Sequence, residues 1–91
     1  MPYIAKTTRK ALDDREILPV VSGSLNYCIT KLAHDYVNRH GLCYQTLNEV
    51  YGAMLAAAAE FYRAVVVPYE DKKRRENGPI SLLDEVMEQQ G

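Results

Sequence analysis

The sequence predicts an all-α fold in which one long central helix forms a hairpin with a second helix, with short helices at both ends. The first observation is the stretch from Tyr44 to Val67, which holds three charged residues, one glycine and no proline. Four consecutive alanines at its centre make it a strong helix former. The second observation is a set of apolar residues at three- and four-residue steps in the preceding segment. The third is that glycine and proline stand where the predicted helices end.

The first 23 residues are predicted to form an extended arm followed by a short helix. Pro2 argues against helix at the start of the chain. Thr7 or Thr8 is a suitable N-cap for a helix that runs to about Ile17, and Pro19 stops it.

The second helix is predicted from about Leu25 to Arg39, with Ser24 as its N-cap and Gly41 as a left-handed C-terminal cap. Its apolar residues recur at helical spacing, which is typical of a face that packs in a core. These residues are Leu25, Cys28, Ile29, Leu32 and Tyr36.

The third helix is the long one, from about 44 to 67. Pro68 has no amide hydrogen and clashes with the preceding turn, so a kink or a break is expected there before a polar continuation. Asn77-Gly78-Pro79 ends the continuation, and Ser81 caps a last helix over Leu82 to about Gln89. Residues 1–91 are therefore predicted to form a single helical domain, with a core hairpin over 24–78 and a C-terminal helix in 79–91.

The central stretch is apolar around too much of its circumference for a lone surface helix. A chain of 91 residues buries only about 60% of its unfolded surface, so its stability is marginal without help. We therefore expect a homo-oligomer. The expected interface is the face on which small side chains let two helices approach closely, at Ala56, Ala57, Ala59 and Glu60.

Composition gives expectations about location and cofactors. The net charge of −1 provides no global field for nucleic acid or membrane. No apolar segment of signal-peptide length follows the basic residues near the N-terminus, and no uninterrupted run of about 18 apolar residues is present, so a cytoplasmic protein that does not bind membranes is expected. Cys28 and Cys43 are interpreted as small buried thiols in a reducing compartment. No metal site and no cofactor is expected.

Catalysis is not expected, because no nucleophile or base has a suitable partner. His34 and His40 do not share a helix face. Glu49 and Glu60 lie eleven residues apart, about 16 Å along one helix, which is too far for an acid–base pair.

Two features of the sequence bear on nucleic-acid binding. The segment from Gly41 to Gly52 has the rhythm of a helix-turn-helix, but the alanine-rich helix after it offers no positive charge before Arg63. The basic run Lys72-Lys73-Arg74-Arg75 is interspersed with acids, as in a solvated mixed-charge face with pairs such as Asp71 and Arg75. A DNA-binding regulator that uses residues 72–75 is kept as the alternative function.

Seven tyrosines suggest surfaces that become buried on assembly or binding. An arginine near tyrosine rings can hold a phosphate while the rings stack a base. The alternative is that the rings fill helix interfaces while Arg63 pairs with Glu60 or Glu70. The candidate contacts for a nucleotide-type anion are Tyr27, Lys31, Tyr62, Arg63 and Tyr69.

Two motifs carry a family resemblance: Leu25-Asn26-Tyr27, and Glu60-Phe61-Tyr62-Arg63 followed by Pro68-Tyr69-Glu70-Asp71. With the intervening segment around Tyr44 to Gly52, they resemble a family of bacterial and phage proteins of about 90 residues that is a domain of unknown function. The resemblance covers about residues 1–78 and implies a bacterial or phage source, with no established activity. The functional expectation is a non-enzymatic phage accessory protein that sequesters a nucleotide-type ligand or a host protein.

Overall fold

The computed structural model describes residues 2–90. For Gln90 it describes the backbone only. These residues form helices and no strand, which confirms the all-α class with a long central helix and a short helix at each end. The chain divides into two compact units, residues 1–52 and 53–91. The helices are α1 (Lys6–Asp13), α2 (Ser22–His40), α3 (Tyr44–Phe61), α4 (Val67–Asn77) and α5 (Leu82–Gln90), and a π-helical turn, Tyr62–Val66, joins α3 to α4.

Helix α1 is shorter than predicted at its C-terminal end and has no threonine cap. The N-cap position is Ala5, and no side chain caps the helix. The helix ends at Asp13 because Arg15 adopts a left-handed conformation with φ of 58°. The Arg15 amide donates to the Leu12 carbonyl and the Glu16 amide to the Ala11 carbonyl, at 3.1 and 2.8 Å. This is a Schellman ending built on an arginine instead of a glycine.

Helix α2 begins two residues before the predicted cap. Val21 precedes it in extended conformation, and Ser24 is buried at 6% exposure inside the helix. Helix α1 packs on α2, and the buried residues of the pair are Leu12 and Ser24. The helix ends at Gly41 as predicted, with the Gly41 amide bonded to the Val37 carbonyl at 2.8 Å. Gly41 has a positive φ of 100°, but its ψ of 148° lies outside the left-handed helical region that was predicted.

The prediction that the apolar face of α2 packs in a core is wrong for the single chain. Leu25, Ile29, Leu32 and Tyr36 are all exposed, and Leu32 keeps 73% of its surface. The reason is that α1 covers the side of α2 that carries Ser24, which leaves the apolar stripe free. Leu12, Ser24 and Thr46 are the buried residues of the described chain.

The central helix, Tyr44–Asn77, continues through Pro68 without a break. The distortion lies just before the proline, where the Val67 amide donates to the Tyr62 carbonyl, five residues back. Pro68 has no amide hydrogen and its ring crowds the carbonyl four residues earlier, so a wider turn relieves both problems. By length and composition alone this helix is also able to cross a membrane.

Helix α5 is capped as predicted. The Ser81 hydroxyl oxygen accepts the Leu83 amide at 3.2 Å. The Asp84 carboxylate accepts the Ile80 amide at 2.9 Å. These two contacts satisfy donors at the start of the helix.

Candidate functional site

The five predicted ligand contacts fall in two groups, one in each unit. Tyr27 and Lys31 lie one turn apart on α2, in residues 1–52. Tyr62, Arg63 and Tyr69 lie on the central helix, in residues 53–91. The members of each group therefore share one helix, and the recorded contacts of Arg63 and Tyr69 are with other residues of that helix, Glu60 and Lys73.

The first group belongs to a cluster between α1 and α2. The Tyr27 hydroxyl donates to both carboxylate oxygens of Asp13, at 2.9 Å each. The Arg9 guanidinium lies 5.8 Å from the centre of the Tyr27 ring, within cation–π range. The Lys31 ammonium donates to Asp35 at 2.8 Å. We call Arg9, Asp13, Tyr27, Lys31 and Asp35 the α1–α2 cluster.

The charges of the α1–α2 cluster balance, with two cations and two carboxylates. Partial burial, and then the hydrogen bond to Asp13, raises the pKa of the Tyr27 phenol above its usual value. The hydrogen bond to Asp35 raises the pKa of the Lys31 ammonium, and partial burial opposes this rise. Tyr27 and Lys31 are half-buried, so both side chains are partly fixed in place by their partners.

Sequence reasoning missed Arg9 and Asp13 as members of this cluster. Arg9 is held by a second contact, from its Nε to the Ile4 carbonyl at 2.8 Å. The spacing within α1 carried a signal, because Arg9 and Asp13 are four residues apart on one helix face. The sequence did not show that this face meets Tyr27.

The second group is more exposed. Arg63 donates to both carboxylate oxygens of Glu60, at 2.7 and 2.9 Å, which is one of the two pairings anticipated for it. Tyr62 is 58% and Tyr69 is 60% exposed. The Lys73 ammonium lies 5.6 Å from the centre of the Tyr69 ring. Two exposed rings and a paired arginine thus lie along one stretch of helix that includes the π-helical turn.

The predicted interface residues all lie on the surface of the central helix. Ala56, Ala57, Ala59 and Glu60 are exposed, and Glu60 is engaged by Arg63. Large apolar neighbours are exposed on the same helix, among them Leu55 and Phe61.

A third polar group lies where α2 meets the start of α3. The Tyr36 hydroxyl donates to one oxygen of Glu49 at 2.9 Å, and the Gln45 amide donates to the other at 3.1 Å. The bond to Glu49 raises the pKa of Tyr36. The Tyr36 ring also lies 4.1 Å from the His40 ring, centre to centre. An open depression beside this group is lined by His34, Val37, Asn38 and Leu47.

Cys43 was predicted to be buried, but its side chain is exposed just before the start of α3. Its sulfur lies 3.3 Å from the Thr46 hydroxyl. The contact with Thr46, through the hydroxyl and then the backbone, lowers the pKa of the Cys43 thiol. Within residues 2–90, no group of three or more His, Cys, Asp or Glu side chains is placed to hold a metal ion.

Comparison with known proteins gives one match. No curated protein and no solved structure is significantly similar to this chain. A family model described as a domain of unknown function, DUF6899, matches residues 1–80. The match includes the whole α1–α2 cluster and the central helix, and α5 lies outside it. Because the match covers most of the chain, this protein belongs to the DUF6899 family.

Proposed function

We propose that this protein is a non-enzymatic homo-oligomer that sequesters a nucleotide-type anionic ligand. The observation that carries the ligand proposal is the α1–α2 cluster, in which the Arg9 guanidinium lies 5.8 Å from the centre of the Tyr27 ring and Lys31 lies one turn further along α2. The observation that carries the oligomer is the amount of apolar surface that the single chain leaves uncovered.

Large apolar side chains stay exposed in both units of the chain. Leu25, Ile29 and Leu32 are exposed on α2, and Leu55 and Phe61 on the central helix. Full burial of such a side chain contributes about 1.5–3 kcal/mol. These side chains support contacts with other copies on more than one surface.

The central helix is the first of these surfaces. Its small residues Ala56 and Ala59 allow close approach of a second helix, and its large apolar side chains supply buried area. A lipid bilayer is a less suitable environment, because the Glu60–Arg63 ion pair lies inside the apolar stretch. Charged side chains within a membrane are costly.

The α1–α2 cluster is suited to phosphate recognition. Arginine and lysine bind phosphate oxygens, and an aromatic ring beside them can stack a base. In the free protein, Asp13 holds Tyr27 and Asp35 holds Lys31. Phosphate binding at Lys31 therefore requires Asp35 to release the ammonium and turn to solvent, with a phosphate oxygen taking its place as the acceptor. Arg63 with Tyr62 and Tyr69 forms a second candidate contact surface.

Native mass spectrometry of gently purified protein tests the oligomer and the ligand together. We expect a symmetric oligomer that retains mass of nucleotide size. A clean oligomer with no bound small molecule favours a host protein as the sequestered partner instead. A monomer at all concentrations contradicts the proposal.

Substitution of the cluster tests the ligand contacts. Lys31→Ala is expected to weaken nucleotide binding by about tenfold or more, as for the loss of a charge-assisted contact. Lys10→Ala is the matched control, because Lys10 also forms an ion pair four residues along its helix, with Asp14 at 2.7 Å, outside the cluster. Arg63→Ala tests the second surface in the same titration. Equal binding by all three variants and the wild type would sink the ligand proposal.

DNA binding through the basic run 72–75 is the alternative function. Two of the four basic residues are engaged with acids, Lys73 with Glu76 at 3.3 Å and Arg74 with Glu88 at 3.3 Å. A DNA-binding regulator predicts affinity that falls steeply with salt concentration. A gel-shift assay at low salt that shows no complex rejects it.

A further inference from the structure

The carboxylate that α1 contributes to the α1–α2 cluster has acceptor capacity to spare. Asp13 is exposed, and the Tyr27 hydroxyl lies 2.9 Å from each of its carboxylate oxygens. An ionised carboxylate offers about four lone-pair sites, whereas a hydroxyl has a single proton to donate. The carboxylate of Asp13 can therefore accept further hydrogen bonds, from solvent or from a ligand, while Tyr27 stays in place.

Asp13 lies near both cations of the cluster. Arg9 comes four residues before it on α1, and side chains at this spacing share a helix face, about 5–6 Å apart at their Cβ atoms. On α2, the pKa of the Lys31 ammonium is raised chiefly by its hydrogen bond to Asp35, and the charge of Asp13 adds to the rise. Asp13 is thus within electrostatic range of the two groups that are suited to phosphate.

A carboxylate at this position limits which anions the cluster accepts. Its charge repels a phosphate group, so a bare phosphate gains from the cations and loses part of that gain to Asp13. A ligand that carries hydroxyl donors next to its phosphate makes a hydrogen bond to the carboxylate instead. The 2′- and 3′-hydroxyls of a ribonucleotide are such donors, and an acidic side chain holds the ribose in this way in dinucleotide-binding folds.

The free protein already pairs these side chains with matching chemistry. Asp13 accepts a hydroxyl proton from Tyr27, and Lys31 donates to the carboxylate of Asp35 at 2.8 Å. A hydroxyl donor and an anionic oxygen acceptor are also what the sugar and the phosphate of a ribonucleotide present.

We propose that Asp13 makes the α1–α2 cluster selective for ribonucleotides, by accepting hydrogen bonds from the 2′- and 3′-hydroxyls while Arg9 and Lys31 hold the phosphate. This inference rests on the proposed function and names the ligand class of the same site.

Calorimetric titration of the full-length protein tests the selection. Each common ribonucleoside 5′-monophosphate is compared with its 2′,3′-dideoxy counterpart, so that the hydroxyls alone differ. The preferred ribonucleotide is expected to bind the wild type about tenfold or more tightly than its dideoxy counterpart, as for hydrogen bonds to a charged acceptor. Asp13→Asn is expected to abolish the difference. Asp14→Asn is the matched control, because Asp14 pairs with Lys10 at 2.7 Å outside the cluster.

Inorganic phosphate gives a second measurement that separates selection from damage to the cluster. Asp13→Asn removes the repulsive charge, so this variant is expected to bind inorganic phosphate about fivefold more tightly than the wild type. Loss of the packing between α1 and α2 has the opposite effect, since it weakens the binding of every anion. Circular dichroism checks that the variants keep their helix content.

The outcomes distinguish this inference from the proposed function. Equal binding of ribonucleotides and dideoxynucleotides by the wild type overturns the selection and leaves nucleotide sequestration standing. A preference that survives Asp13→Asn, or weaker binding of all anions by that variant, also overturns it. A wild-type chain that binds no nucleotide overturns both. A preference that Asp14→Asn keeps and Asp13→Asn removes, together with tighter binding of inorganic phosphate, establishes the selection.

Discussion

Truncation of Phe61 tests whether the exposed apolar surface of the central helix is an interface between copies. Phe61 is 62% exposed in the single chain. It lies one turn from Ala57, within the predicted interface region. Phe61→Ala removes the ring and keeps a good helix former, so the helix itself is retained.

The expected loss follows from the exposed fraction. Burying a whole phenylalanine contributes about 1.5–3 kcal/mol. Completing the burial of a side chain that is 62% exposed therefore contributes about 1–2 kcal/mol per copy. In a two-fold symmetric contact the side chain enters twice. The dimer thus loses about 2–4 kcal/mol, which raises its Kd by about 30- to 700-fold.

Sedimentation velocity over a wide dilution series measures this change, with circular dichroism as the check that helix content is kept. Glu70→Ala is the control, because Glu70 is exposed on the same continuous helix and presents a charge instead of apolar surface. A Kd for Phe61→Ala equal to that of the wild type, with normal helix content, would refute the assignment of this surface. An equal weakening by Glu70→Ala would show a general effect on the helix.

Four further predictions concern single features. Arg15→Gly is expected to raise the free energy of unfolding by about 1 kcal/mol, because glycine adopts the left-handed conformation at this helix end without strain. Denaturant unfolding measures this change, and a less stable variant contradicts the prediction. Thr46→Val is expected to slow alkylation of Cys43 by iodoacetamide at neutral pH, because Thr46 lowers the pKa of that thiol; an unchanged rate assigns no role to the contact. The raised pKa of Tyr27 means that its contribution to stability is fully present below the phenol's ordinary pKa. This contribution is lost as pH rises through the folded-state pKa, so Tyr27→Phe is expected to flatten the alkaline part of the stability profile, and a profile like that of the wild type argues against it. The protein is expected to stay at the bottom of a flotation gradient with neutral lipid vesicles, and flotation would favour a membrane role for the central helix.

Much of the helical architecture was predictable because local chemistry decides it. The central helix follows from its alanine and straight-chain residues, and the end at Gly41 from the conformational freedom of glycine. The start of α5 follows from the Ser81 hydroxyl. The ending of α1 was missed because an arginine occupies the left-handed position, where the sequence offers no glycine to mark it.

Pro68 shows a limit of local rules. The sequence indicated a distortion there, since proline lacks an amide hydrogen and crowds the preceding turn. Whether the chain kinks, breaks or widens depends on which arrangement restores the backbone hydrogen bonds on both sides. The chain widens into a π-helical turn before the proline, and the helix continues to Asn77.

Only part of the α1–α2 cluster was named from the sequence. Tyr27 and Lys31 were proposed from their residue types as contacts for an anionic ligand. Arg9 and Asp13 join them because α1 folds back across α2, and that packing depends on where the α1 ending at Arg15 directs the chain. A contact between residues 14 apart is set by a turn, which helical periodicity does not encode.

The sequence by itself determined the helices, the excess of apolar residues and therefore the expectation that this chain associates, because these depend on composition and local spacing. Only the tertiary structure decided which surfaces remain uncovered. It showed that α1 packs on the side of α2 that carries Ser24, that the apolar stripe of α2 stays exposed, and that the apolar residues of α5 stay exposed as well. The physical reason is that the helices packed against a given helix determine which of its faces is buried, and the sequence of that helix alone does not specify them.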